Sequence, residues 1–432
     1  MERYKAICKK AIEHGLIFIK WSMLAIVTGI VVGSISIIFS KSMSWVTNFR
    51  ITHNYIIYFL PVAGIFVVWL YRVLKINDDK GTNLVLTAIS SDEDIPAKVS
   101  PLIFTATVIT HLFGGSAGRE GAALQLGGSL GNIIGKVFRL NNNDKKIIIM
   151  CGMSAAFSAL FGTPMAAAVF PIEVAMVGVF YYAALMPCIF SSLIASHFAA
   201  GMGISPEAFI INEIPKASYF VYGKVVIISI VCAIISIIFC MILHDFAKYF
   251  KFIKNPYFRV IIGSVVIVLL TLIVNTRDYL GAGIPVIERA MEGQVDSAAF
   301  LWKMIFTAIT LAIGFKGGEI VPTLFIGATL GCLMGHLLDI SPSLCAAIGM
   351  AGLFCGVTNS PISTMLISFE LFGFDAVNYF LIAIAINYVI SGYIGLYSEQ
   401  IIVHSKYKME DIGLVRHIIK KDNKDSNKEN NR

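Results

Sequence analysis

Charge is what this sequence holds least of. Asp, Glu, Lys and Arg make up 14% of its 432 residues, against about 25% in a soluble domain. That shortage excludes an ordinary cytosolic enzyme, whose surface would need more charge to stay in solution. Paired cysteines are missing too. Cys8, Cys151, Cys188, Cys232, Cys240, Cys332, Cys345 and Cys355 are scattered, mostly in apolar runs, with no CxxC. This excludes a secreted disulfide scaffold and leaves small buried hydrophobes. The eight histidines show no pair at metal-ligand spacing, and no nucleotide-cradling loop or nucleophile–base pair stands out. No metal and no cofactor are expected, and an enzyme is not expected either. A net charge of +7 is too mild for a nucleic-acid partner.

What is present is apolar. Hydrophobic residues are 57% of the chain and the mean hydropathy is +0.78. Of the 34 basic and 27 acidic residues, 13 and 7 fall within residues 1–20 and 404–432. The pattern is that of a polytopic membrane protein embedded in a lipid bilayer. Basic clusters beside spans mark the cytoplasmic side, so both termini are expected in the cytoplasm and the protein in the plasma (inner) membrane. The apolar run near 17–39 is too long for a signal-peptide core and lacks a small-x-small cleavage site, so it is expected to be a retained helix. Residues 1–16 are expected as a cytoplasmic N-terminal segment and 17–403 as the transmembrane domain. Residues 404–432 are expected as a disordered basic cytoplasmic tail, Asn- and Lys-rich.

Many of the other apolar runs fall short of the 20 or so residues a span needs, and Gly, Pro or a charge interrupts them. Broken helices at membrane depth are tolerated where they line an enclosed cavity, which points to a transporter or channel. The chain also repeats. Gly81 to Val85 precedes Gly281 to Pro285 by 200 residues, and Ile103-Phe104-Thr105-Ala106 recurs as Ile305-Phe306-Thr307-Ala308. Gly127, Leu130, Gly131 and Gly135 recur as Gly327, Leu330, Gly331 and Gly335, and Gly152, Phe157, Pro164 and Glu173 as Gly349, Phe354, Pro361 and Glu370. Two halves, about 50–200 and 220–390, share one fold. Repeated broken helices point to a site near the midplane.

The repeat sorts the buried charges. Glu173 and Glu370 are symmetric and read as scaffold, capping a helix or pairing with a cation. Glu120 aligns with Ile320, and Arg119 with Glu319, so each half starts a helix with a lone carboxylate, one residue out of register. Gly114 to Gly121, which includes Gly118 and Arg119, is a glycine-rich turn opening a helix. Gly317-Gly318-Glu319-Ile320-Val321-Pro322 does the same in the second half. A helix start has unbonded N–H groups and a positive dipole end, hence an anion site. Glycines let backbone approach closely, and Pro322 suits a first turn. A carboxylate there competes with the anion, so Glu120 can swing away and carry a proton. The plainer reading is that these glycines only pack helices while Glu120 pairs with Arg119.

These residues resemble the CLC superfamily of anion channels and proton-coupled anion exchangers, over about 50–400. Gly118-Arg119-Glu120-Gly121 looks like its gating-glutamate motif, Gly317 to Pro322 like its second anion-binding helix start, and Tyr397 like the tyrosine that points at the central anion. The resemblance implies an all-α membrane fold of two inverted repeats of short, tilted and broken helices, and a homodimer with one pathway per subunit. The departures are informative. Chloride-handling members carry a Gly-Ser/Pro-Gly-Ile-Pro loop where this chain has Gly81-Thr82-Asn83-Leu84-Val85. Ala122 replaces a proline, Val174 falls where an inner proton-relay glutamate is found, and Glu319 replaces an apolar residue. This set resembles the bacterial branch that exchanges fluoride for protons. The resemblance implies Glu120 as moving gate and Glu319 as central carboxylate.

Fluoride is small and strongly hydrated, so its site needs strong, close donors. Candidates are Thr82, Asn83, Tyr397 and the N–H groups around Gly121 and Ile320. The expected function is a secondary active antiporter exporting fluoride in exchange for protons, which gives fluoride and protons as its small partners. The alternative is a passive or proton-coupled chloride channel or exchanger of the same fold.

Overall fold

A computed structural model describes residues 2–76, 80–91, 93–408 and 411–416. Sixteen α-helices occur among these residues. The first eight are α1 (Glu2–Thr52), α2 (Leu60–Val73), α3 (Thr82–Ser90), α4 (Val99–Leu112), α5 (Glu120–Val137), α6 (Asn142–Phe161), α7 (Pro164–Ala175) and α8 (Tyr182–Gly201). The second eight are α9 (Tyr219–Phe250), α10 (Pro256–Val274), α11 (Ile284–Met291), α12 (Ala299–Ala312), α13 (Ile320–Leu337), α14 (Pro342–Thr358), α15 (Pro361–Phe372) and α16 (Val377–Ile390). Among the described residues six helices are long and apolar enough to cross a membrane; α4, α7, α12, α14, α15 and α16 are shorter apolar helices. Sequence punctuation sets many of the starts. Pro164, Pro256, Pro342 and Pro361 each open a helix, where a missing N–H costs nothing. The side chains of Asn141, Ser218, Asn255 and Ser341 accept first-turn N–H bonds.

The two halves are inverted copies that meet face to face. Gly118 N donates to Gly318 O and Gly318 N to Gly118 O, both at 2.7 Å, in an antiparallel bridge. Around it the bonds are reciprocal. Ser116 N donates to Thr310 Oγ1 at 3.1 Å, and Lys316 N to Thr110 Oγ1 at 3.2 Å. Such pairs fix the offset between halves at 200 here. The identical Ile-Phe-Thr-Ala tetrapeptides, at an offset of 202, are therefore two residues out of structural register. The repeat also reaches further than the sequence indicates. α1 packs on α6 and α8 as α9 packs on α14 and α16, and α2 meets α10. The first half thus begins with α1 rather than near residue 50; the long lipid-type apolar runs of α1 and α9 match by their packing partners and share no motif.

Glycine pairs bring the central helices together. A Cβ on Gly127 would lie 2.3 Å from Gly152 O, and one on Gly327 would lie 2.3 Å from Gly349 O. α5 therefore packs backbone to backbone on α6, and α13 on α14. Glu173 accepts from Ile362 N and Ser363 N at the start of α15, and Glu370 from Met165 N and Ala166 N at the start of α7. Each half thus caps a helix of the other with a charge-assisted bond pair.

Two differences concern the ends. α1 starts at Glu2 and runs unbroken to Thr52, so no joint separates residues 1–16 from the apolar run beginning at residue 17. Residues 411–416, within the tail expected to be disordered, form strand β3 (Asp411–Arg416). It pairs antiparallel with β2 (Ile401–His404), which lies parallel to β1 (Met176–Val177). The stretch carries Ile412, Leu414 and Val415, a β-forming composition that an average over the Asn- and Lys-rich tail conceals. Residues 417–432 lie outside the described residues.

Candidate functional site

The site lies where the starts of α5 and α13 meet at the Gly118–Gly318 bridge. Only glycine permits this approach. A Cβ on Gly318 would lie 2.3 Å from Gly121 N, and one on Gly317 would lie 2.4 Å from the Ala117 Cβ. One on Gly118 would lie 3.1 Å from Pro322 Cδ, so Pro322 packs against the bridge. The N–H groups of Gly118 and Gly318 are consumed by the bridge and are not available to a further acceptor. The first bonds closing each helix run from Ala123 N to Arg119 O and from Thr323 N to Glu319 O. The N–H groups of Gly121, Ala122, Ile320 and Val321 accordingly have no intrahelical acceptor.

Polar side chains converge on Gly121. A Cβ there would lie 3.3 Å from Glu319 Oε2 and 3.4 Å from Thr82 Oγ1. Glu319 Oε2 and Tyr397 Oη are buried without a hydrogen-bond partner among the described residues. Buried polar atoms are nearly always bonded, so the unpartnered Glu319 Oε2 beside the unbonded helix start at Gly121 describes a candidate site for a polar guest. Asn83 Oδ1 accepts from Glu399 N at 3.1 Å. This bond orients the amide and leaves the Nδ2 donors without a partner among the described residues. Thr82 departs from the donor role expected of it: its hydroxyl donates to Gly121 O at 3.2 Å. A hydroxyl has one proton, so Thr82 secures the first turn of α5 and offers no free donor in this arrangement.

Glu120 is buried, with 1% of its surface exposed. Its Oε2 accepts from Arg119 N at 2.9 Å and its Oε1 from Arg119 Nε at 3.1 Å. The carboxylate thus binds a backbone N–H at a helix start, as an anion would. The pairing with Arg119 and the close glycine packing, the plainer reading of this turn, are both present and coexist with the site. The other face of Arg119 donates from Nη2 to Glu207 Oε1 at 2.6 Å. Glu207 belongs to the linker between the halves and has no counterpart in the repeat, so pattern reading passes over it. It is one of two acids in the linker, with Glu213, and only the fold singles it out. His111 has no partner at ligand spacing in the sequence and gives no signal there. In the fold it is buried, and its Nε2 lies 3.3 Å from Gly118 O, a distance at which the ring N–H donates to that carbonyl and steadies the bridge.

Tyr397 is held from behind. Leu396 N donates to Val357 O at 2.8 Å and Gln400 N to Tyr397 O at 3.1 Å. Gln400 Nε2 donates to Val174 O and Thr358 O, and Asn359 Nδ2 to Gln400 Oε1. Val174 itself is buried and apolar, so any proton route past it runs without its side chain. No group of three or more His, Cys, Asp or Glu side chains able to hold a metal occurs among the described residues.

A family model described as "Voltage gated chloride channel" matches residues 63–392. The chain is 34% identical over 396 residues to a "Chloride/fluoride channel protein" of Pseudomonas syringae pv. tomato, covering 90% of this chain and 88% of that one. It is 23% identical over 382 residues to the "H(+)/Cl(-) exchange transporter ClcA" of Salmonella paratyphi B, covering 81% and 80%. Among solved structures, it resembles a CLC-type fluoride/proton antiporter with a TM-score of 0.86 at 32% identity, covering 89% of this chain and 98% of that one. A slow cyanobacterial Cl-/H+ antiporter shares the fold, with a TM-score of 0.75 at 18% identity over 86% and 94% of the two chains.

Proposed function

This chain belongs to the CLC, or voltage-gated chloride channel, family, and we propose that it is a secondary active antiporter that exports fluoride from the cytoplasm in exchange for protons. The observation that carries this is the pair of carboxylates at the facing helix starts, Glu120 beside Arg119 and Glu319 beside Gly121. A passive anion pore gains nothing from two acids at its anion site. A proton-coupled one needs acids that change charge there. Likeness to proteins named for fluoride supports the choice of ion.

In this reading the anion is held by the N–H groups around Gly121 and Ile320, the Asn83 amide and the Tyr397 hydroxyl. Glu120 alternates between the helix start and a protonated state turned away from it. Glu319 sits at the centre and takes over the proton that Val174 cannot carry. Gly118, Gly317, Gly318 and Pro322 keep the two helix starts in contact, and Arg119 holds the gate. The protein is an integral transporter of the inner membrane with both termini in the cytoplasm. It acts as a homodimer with one pathway per subunit, without a cofactor. One observation favours a passive channel of the same fold: Val174 is apolar where a relay acid stands in chloride exchangers.

The test is ion selectivity. Purified protein in liposomes loaded with equal fluoride and chloride should release fluoride at least tenfold faster, since the site supplies the strong donors that a tightly hydrated ion requires. Equal release rates favour the chloride reading.

A further inference from the structure

Beside the gate lies a cavity of about 670 Å³, lined among others by Arg50, His111, Arg119, Glu207 and Arg277. Arg50 stands in the last turn of α1, and its Nη1 donates to His111 O at 2.6 Å. Among the described residues neither Arg50 nor Arg277 is paired with a carboxylate; Arg277 donates to the Asn54 amide oxygen. A lysine stands behind this wall. Lys303 is fully buried, with Nζ bonded to Tyr279 O at 3.2 Å and Gly281 O at 2.6 Å and lying 5.0 Å from the Phe325 ring centre. Arg50 reaches the same turn, since a Cβ on Gly281 would lie 2.5 Å from Arg50 Nη1. The acids at the cavity are already engaged. Glu207 and Glu120 share Arg119, and Asp278 is bonded by Arg289.

Arg50 is half-buried while Arg277 is exposed, and a half-buried cation without counter-charge is costly unless an anion supplies it. The guanidinium of Arg50 has one N–H on a carbonyl and four more to offer, in a fork suited to anions. The cavity has room for roughly twenty waters at about 30 Å³ each, so a halide there can be surrounded by a hydration shell. We propose that this cavity is an outward-facing anion antechamber, in which a small inorganic anion, the transported halide, is held at Arg50 and Arg277 after it has passed Glu120 and regains its hydration shell before release. The assignment rests on the transport reading above for its purpose, though not for the binding itself. The site is separate from the helix-start pair, and Arg119, which lines the cavity and holds the gate, joins the two.

Two measurements test it. The first is anomalous diffraction from crystals of the wild-type protein in bromide. A bromide peak beside the Arg50 or Arg277 guanidinium is expected, and it should disappear in Arg50→Gln. The second is half-saturating fluoride in oriented vesicles, measured separately from each side. Arg50→Gln should raise it about tenfold on the cavity side, the loss of one charge-assisted hydrogen bond, and leave the opposite side and the proton-to-anion ratio unchanged. Arg277→Gln should act in the same direction. Arg50→Lys should keep the charge and show a smaller rise. An empty cavity at saturating bromide, or a rise equal on both sides, overturns the proposal and makes Arg50 a structural contact. The bromide result does not depend on proton coupling, so failure of the antiport reading and failure of the antechamber are distinguishable.

Discussion

Glu120→Gln is expected to abolish fluoride-driven proton movement while leaving the protein folded. The substitution keeps size and hydrogen-bonding capacity but cannot ionise. In the structure the Glu120 carboxylate bonds the Arg119 N–H and guanidinium and is almost fully buried. In the proposed role, removing its charge weakens its competition with the anion at the helix start and takes away the proton carrier. Proton uptake into reconstituted vesicles under a fluoride gradient should therefore fall to the level of protein-free vesicles. Anion flux should persist or rise, because the tethered competitor is gone. Full proton uptake by this variant would remove Glu120 from the proton route. Arg119 would then be the anchor of a structural ion pair shared with Glu207.

The second large effect is expected from Gly318→Ala. Its new Cβ would lie 2.3 Å from Gly121 N and 2.9 Å from Gly121 Cα. Both are backbone atoms at a helix start and cannot swing aside as a side chain can. The two starts must separate, which breaks the paired Gly118–Gly318 bonds and shifts the N–H groups that face the anion. Overpacking of this kind costs about 1–3 kcal/mol, enough to lower thermal stability measurably in detergent. Transport should fall by about tenfold or more, since a displacement near 1 Å at a preorganised site is costly. Gly201→Ala, with nothing within 4 Å of the new Cβ, is the control and should change neither. Unaltered transport in Gly318→Ala would mean that the helix starts need not touch.

The membrane class, the two-fold repeat and the turns at Gly118–Gly121 and Gly317–Pro322 are legible in the sequence because each has a strong local cause. Apolar runs, glycines required by close backbone and prolines at helix starts all leave a signature along the chain. The inclusion of α1 and α2 in the first half is not legible, because long lipid-type helices match by placement and not by motif. Thr82 shows a different gap. Its residue type suits a donor, but the acceptor that captures its proton, Gly121 O, lies 39 residues away in sequence. Glu207 and Arg50 escape for the same reason. Their partners, Arg119 and the His111 carbonyl, are brought close only by tertiary folding.

The most direct test of the central claim, that anion and proton share a path at the two facing helix starts, is uphill proton transport by the wild-type protein. Vesicles with a fluoride gradient, no pH gradient and clamped voltage should build up a proton gradient that grows with the imposed fluoride ratio. Dissipation of the fluoride gradient with no proton movement at all would contradict the account and leave a passive anion pathway in this fold.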